Sequence, residues 1–107
     1  MTKAKRVSAS EEFKENEMND MISIFKTLSD PSRIRIISVL NTHQNMSVSD
    51  IADHLDLEIS LVSHHLSTLK LQGFVKSRRE KKQVFYSIDD DCIIDIMQRA
   101  RDHVVGS

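Results

Sequence analysis

From Glu11 to Leu28 apolar residues recur mostly every three or four positions, at Phe13, Met18, Met21, Ile22, Phe25 and Leu28. That spacing gathers them on one side of a helix with 3.6 residues per turn and predicts a first amphipathic helix. The segment SDPSR ends it. A proline disfavours helical backbone in the residue before it and suits the first turn of a new helix. Pro31 to Leu40 then reads as a second helix, with Ile34, Ile37, Val39 and Leu40 largely inside. After a polar connection, NTHQNM, the run SVSDIADHL opens on Ser47 with an Asp three residues later, which resembles a capped helix start. A short break, DLEI, leads into ISLVSHHLSTLKL, where Leu61, Val62, Leu66 and Leu69 keep helical spacing. Ser60 is placed to cap this helix and Gly73 to close it.

Past Gly73 the period falls to two. Phe74–Arg79 and Gln83–Ile88 alternate around a charged EKK tip and predict a hairpin. Glycine, the usual residue of a tight hairpin turn, is absent there. The segment Asp89–Val105 opens on three aspartates, which favour a helix amino terminus. It carries a broad apolar stripe at Ile93, Ile94, Ile96, Met97, Ala100 and Val104. The expected fold is mainly α with a small β-hairpin, a winged helix-turn-helix over residues 11–107. The first ten residues are polar and are expected to form a disordered tail. A domain this small does not easily cover both its first and its last helix. Those two are expected to form a homodimer interface and so supply two-fold symmetry.

Composition narrows the function classes. The chain has 107 residues with two glycines and one proline, which suits long helices and few turns. No apolar run approaches the roughly 18 residues of a membrane span. A lone cysteine, Cys92, makes no internal disulfide, so a reducing cytoplasm is the expected home. No nucleophile–base pair and no phosphate-cradling glycine loop appears, which argues against an enzyme. The formal net charge of −1 hides a basic block. Between Ser60 and Lys82 stand six cations, Lys70, Lys76, Arg78, Arg79, Lys81 and Lys82, against the single anion Glu80. Such a block in an otherwise balanced chain points to one surface facing a polyanion.

The Ile59–Leu71 helix has an unusual outer face of hydroxyls and imidazoles. Carboxylates there would be repelled by phosphates, whereas short hydroxyls and imidazoles approach base edges and exchange hydrogen bonds with them. Ser60, Ser63, His64 and Ser67 are therefore the candidate DNA-reading residues. Lys70, Arg78, Arg79, Lys81 and Lys82 are the candidate phosphate contacts, supplying affinity and register more than sequence discrimination. The plainer alternatives are an exposed helix that happens to carry little charge and a protein-interaction module whose basic hairpin meets an acidic partner.

The stretch IFKTLSDPSRIRIISVL, followed by SVSDIADHLDLEISLVSHHLSTLKLQGFVKSRREKKQVFYSI, resembles the ArsR/SmtB metal-sensing transcriptional repressors. The likeness runs from about Phe13 to the carboxyl terminus. It implies a homodimer that binds double-stranded operator DNA when metal-free and is released by a metal ion. Two cysteines in a C-V-C-D pattern make one of the family's metal sites, but here that place reads Ser47-Val48-Ser49-Asp50. Serine hydroxyls poorly replace thiolates toward soft metals, so the resemblance implies no thiolate site here. A second site on the last helix has the pattern D-x-H with a His eleven residues on and His or Glu three further. Asp90 matches the Asp, Cys92 stands for the first His, His103 matches the second, and Gly106 replaces the last ligand.

Eleven residues span about 16 Å of helix, so Cys92 and His103 of one copy cannot share an ion. They do return to nearly the same face, so antiparallel packing of two copies could bring Asp90 and Cys92 of one chain beside His103 of the other. Zinc accepts such ligands, and nickel or cobalt would accept more oxygen donors. The same residues also have modest readings. Cys92 can be a small packing residue or an oxidation sensor, His103 a cation at a helix carboxyl terminus, and Asp89–Asp91 a cap.

Overall fold

The computed structural model describes residues 11–106; the tail expected to be disordered, residues 1–10, lies outside them. Among the described residues five helices, α1 (Glu15–Leu28), α2 (Pro31–His43), α3 (Val48–Leu55), α4 (Ile59–Leu71) and α5 (Asp91–Val105), accompany a small sheet. Its strands are β1 (Met46–Ser47), β2 (Val75–Glu80) and β3 (Gln83–Ile88), in the order β1-β3-β2 and antiparallel throughout.

Capping chemistry explains most boundaries. Asp30 is extended, at φ −93° and ψ 125°, and its carboxylate accepts the Arg33 amide at 3.1 Å, so the SDPSR junction behaves as its proline predicts. Ser47 caps α3 by accepting the Asp50 amide at 3.1 Å. The serines standing where a thiolate site would begin thus include one with a structural task. Gly73, at φ +82°, ends α4 in a Schellman motif: its amide donates to the Lys70 carbonyl at 2.9 Å, and the Phe74 amide to Leu69 at 3.0 Å.

Several expectations need correction. α1 starts at Glu15 rather than Glu11, because the Glu17 carboxylate accepts the Lys14 amide at 2.8 Å and sets the helix end there. α2 continues through Asn41-Thr42-His43, which read as loop. Ser60 does not cap α4; Glu58 is the preceding extended residue, and its side chain makes no capping bond. The two-residue strand β1 was hidden because it is too short to show alternation. It pairs Met46 with Tyr86 and Ser47 with Phe85. At the hairpin tip Lys81 itself adopts φ +60°, the left-handed geometry for which glycine would be the cheaper residue.

The core is built from α2, α3, α4 and the base of the hairpin: Ile36, Ile37, Leu40, Ile51, Val62, Leu66 and Leu69 are fully buried, with Phe74 and Val75 beneath the wing. Ile34, expected inside, is 40 % exposed, and Ile36 takes the buried place. α5 contributes only Ile93 as a buried residue, and α1 only Thr27 and Leu28.

Substituting Leu66→Ala should cost about 2–5 kcal/mol of unfolding free energy, and Asp30→Ala about 1 kcal/mol, both read from urea titrations. The Arg33 amide holds the Asp30 carboxyl below the usual carboxylate range. Its stabilisation is therefore present above the ordinary carboxylate value and disappears as pH falls through the lowered one. Asp30→Asn should flatten that acid limb of the stability profile.

Candidate nucleic-acid interface and metal-ligand residues

The burial of Val62, His65, Leu66 and Leu69 fixes the rotation of α4. At about 100° per residue, Ser60, Ser63, His64 and Ser67 then fall in one stripe on the opposite side. All four are exposed. The stripe ends at Leu71, which is 89 % exposed. His64 and His65 therefore separate: one imidazole faces solvent, while the other is 6 % exposed and belongs to the interior.

His65 was missed as an organising residue. Its Nδ1 accepts the Arg33 Nε–H at 3.1 Å, and its Nε2 lies 3.9 Å from the Asp30 carboxylate. Burial pushes its pKa down, against the smaller opposing pull of Asp30. The signal was present in the sequence, since His65 lies three residues after Val62 and four before Leu69 and so shares their face.

The wing divides the basic block. Strand alternation puts Ser77 and Arg79 on one face of β2 and Lys76 and Arg78 on the other. Lys70 donates from Nζ to the Ser77 hydroxyl at 2.6 Å, so the Ser77 face turns toward α4. Arg78 turns away. Its guanidinium pairs with Glu80 at 2.9 Å and stands over the Phe85 ring, 5.6 Å from the centroid. The four wing cations expected to contact phosphate are thus not one patch: Arg79 shares the α4 side, Lys81 and Lys82 form the exposed tip, and Arg78 lies behind with a carboxylate of its own.

The candidate metal ligands lie at the two ends of α5. Asp90 is the N-cap, with Oδ1 accepting the Cys92 amide at 2.9 Å. Cys92 is exposed, and Asp90, by its charge and hydrogen bond, pushes the thiol pKa up. His103 is exposed in the last turn, and Gly106, at φ +81°, closes the helix in left-handed geometry. α5 is one uninterrupted helix. Among the described residues no three His, Cys, Asp or Glu side chains gather to hold a metal ion. Beside α5 runs an apolar groove of about 410 Å³ against α2, lined by Ile34, Ile37, Ile94, Met97 and Val104 among others. No helix among the described residues is long and apolar enough to cross a membrane.

A helix-turn-helix of α3 and α4 followed at once by a β2–β3 wing defines a winged-helix protein. Residues 30–77 match the family described as "Bacterial regulatory protein, arsR family". The cadmium resistance transcriptional regulatory protein CadC homolog of Staphylococcus aureus is 38% identical over 87 residues, covering 81% of this chain and 71% of that protein. The transcriptional repressor SmtB homolog of a Synechocystis strain is 35% identical over 92 residues, covering 86% and 69%. A homodimeric winged helix-turn-helix DNA-binding domain from Mycobacterium bovis superposes with a TM-score of 0.73 over 96% of this chain and 93% of that one, at 21% identity. The chain belongs to the ArsR family. It is a winged-helix transcriptional repressor of the ArsR/SmtB type, not an enzyme.

The raised thiol pKa gives a direct expectation. At pH 7.5 Cys92 should react slowly with iodoacetamide, and Asp90→Asn should speed alkylation severalfold by removing the carboxylate while keeping an amide able to cap. Mass spectrometry of timed samples reads the rate. An unchanged rate would contradict the assigned cause.

Proposed function

We propose that two copies of this chain pair through α1 and α5, bind a two-fold operator with their α4 helices, and release it when a transition-metal ion, with zinc the best match, is held between the α5 helices. The observation that carries the reading is the opposition of faces on α4: an apolar inner face, and an outer stripe of Ser60, Ser63, His64 and Ser67 free of acidic groups. Such a helix suits the major groove, where its hydroxyls and imidazole meet base edges. Lys70, Arg79, Lys81 and Lys82 meet phosphates on either side. Arg78 contributes less, because Glu80 already neutralises it. A cytoplasmic location follows from this role.

Pairing is supported by the apolar surface left on the terminal helices. Met18, Ile22 and Phe25 on α1, and Ile96, Val104 and Val105 on α5, are each more than a third exposed. Scattered exposed apolar residues are ordinary, but two such helices at the ends of one chain make an interface.

The donor chemistry fits a borderline metal: a carboxylate, a thiolate left when Cys92 gives up its proton, and an imidazole would be three donors per site, with water, Asp102 or a carboxyl-terminal group as the fourth. Asp90 keeps its second carboxylate oxygen for the ion while Oδ1 caps the helix. His103 must come from the other copy, since about 16 Å of helix separates it from Cys92. A bound ion supplies a crosslink between the two α5 helices.

Complementation tests the shared site. Cys92→Ala and His103→Ala should each bind DNA as the parent does without metal, and each should lose the response to zinc. Heterodimers of the two variants should regain one zinc per dimer and part of the response, because one of their two sites is intact. Failure of the mixture to regain zinc would contradict a shared site. For DNA, Arg79→Ala or Lys82→Ala should lower the slope of log affinity against log salt by about 1, and Arg78→Ala by distinctly less.

A further inference from the structure

Two polar links join α1 to α4, and the DNA-reading role of α4 uses neither. The Gln72 amide donates to the Ser23 hydroxyl at 2.8 Å, joining the carboxyl end of α4 to the middle of α1. One turn further along α1, the Thr27 carbonyl accepts Arg33 Nη1 at 3.2 Å, and the same guanidinium donates from Nε to His65 at 3.1 Å. Ser23 and Thr27 are four residues apart and so share a face of α1. The Ser23 hydroxyl turns toward the end of α4, whereas Ile22 and Phe25 are each half exposed.

We propose that Arg33 and His65, seconded by Ser23 and Gln72, are positioning residues that lock α4 to α1, so that pairing of two copies dictates where their two reading helices stand. The proposal rests on the dimeric operator-binding reading above. Its physical basis is directional. The apolar contacts of Val62, Leu66 and Leu69 tolerate small sliding of α4 along its own axis, because hydrophobic contact has no preferred angle. Hydrogen bonds near 3 Å, two of them partly buried and made by one planar guanidinium, do not tolerate it. A reading helix displaced by about 1.5 Å, one residue's rise, changes which bases its side chains meet.

The lock depends on His65 offering a lone pair at Nδ1, which a protonated imidazole lacks. The charged groups facing the ring are Asp30 and Arg33 from the α1–α2 junction and His64 from its own helix. Asp30, at 3.9 Å, favours protonation; burial above all, and then Arg33 and His64, oppose it. The ring is therefore neutral at pH 7, and the lock opens only below the ordinary histidine range.

The test uses the full chain in a His64→Gln background, which removes the one exposed imidazole on the reading stripe. Operator affinity and hydrogen exchange of residues 59–72 are followed from pH 7.5 to 5.0, with and without His65→Gln, whose side-chain oxygen accepts from Arg33 at every pH. With His65 present, operator affinity should fall about tenfold or more toward pH 5 and exchange on α4 should accelerate. In the His65→Gln protein both should stay nearly flat. His65→Ala should resemble the acid form already at pH 7.5. Equal pH dependence in both proteins, or a His65→Ala protein that matches the parent in affinity and exchange at pH 7.5, would overturn the lock. Protected exchange that follows His65 in a chain that binds no operator would leave the lock standing and remove the operator reading instead.

Discussion

Burial of one face of α4 is the constraint on which the remaining structure depends. Val62, Leu66 and Leu69 have no exposed surface, and a helix that buries them has only one rotation available. That rotation turns Ser60, Ser63, His64 and Ser67 outward together and draws His65 into the interior. Two adjacent histidines thereby acquire opposite tasks for a purely geometric reason. The hairpin then follows directly, because the Schellman turn at Gly73 sends the chain back along α4 and buries Phe74 and Val75 beneath it.

The same economy leaves the terminal helices incomplete. The core closes with α2, α3, α4 and the wing, so α5 can bury only Ile93 and α1 only its last turn. Apolar side chains on both stay exposed in the single chain, and on the proposed reading a second copy covers them. The candidate metal ligands sit at opposite ends of α5, a separation that is useless within one chain and meaningful between two. On the proposed reading a regulatory ion would act on the relation between copies, and α1, bonded through Arg33 to His65, would carry this relation to α4.

Much of this was legible in the sequence because the dominant forces are periodic or local. The 3.6-residue spacing of apolar positions, the proline after Asp30, and the glycine at position 73 locate the helices to within a few residues. The period-two wing was equally plain. What stayed hidden was non-periodic or long-range. A two-residue strand such as β1 has no period, and the α2 extension through His43 lacks apolar marking. Arg33 and His65 lie 32 residues apart. The sorting of Arg78 away from Arg79 depends on strand parity and on Glu80, so a count of cations in the basic block could not reveal it. Asp90, Cys92 and His103 are readable as donors, but one chain does not bring them together, and the proposed shared site would need a second.

The most direct test is the fluorescence anisotropy of a labelled DNA fragment from immediately upstream of this chain's gene, titrated with metal-free protein and then with zinc. Saturation by dimers is expected, followed by release of the DNA as zinc approaches one ion per copy. Binding that is indifferent to zinc, nickel and cobalt alike would contradict metal control. Absence of any salt-sensitive binding would contradict the DNA-reading role of α4 itself.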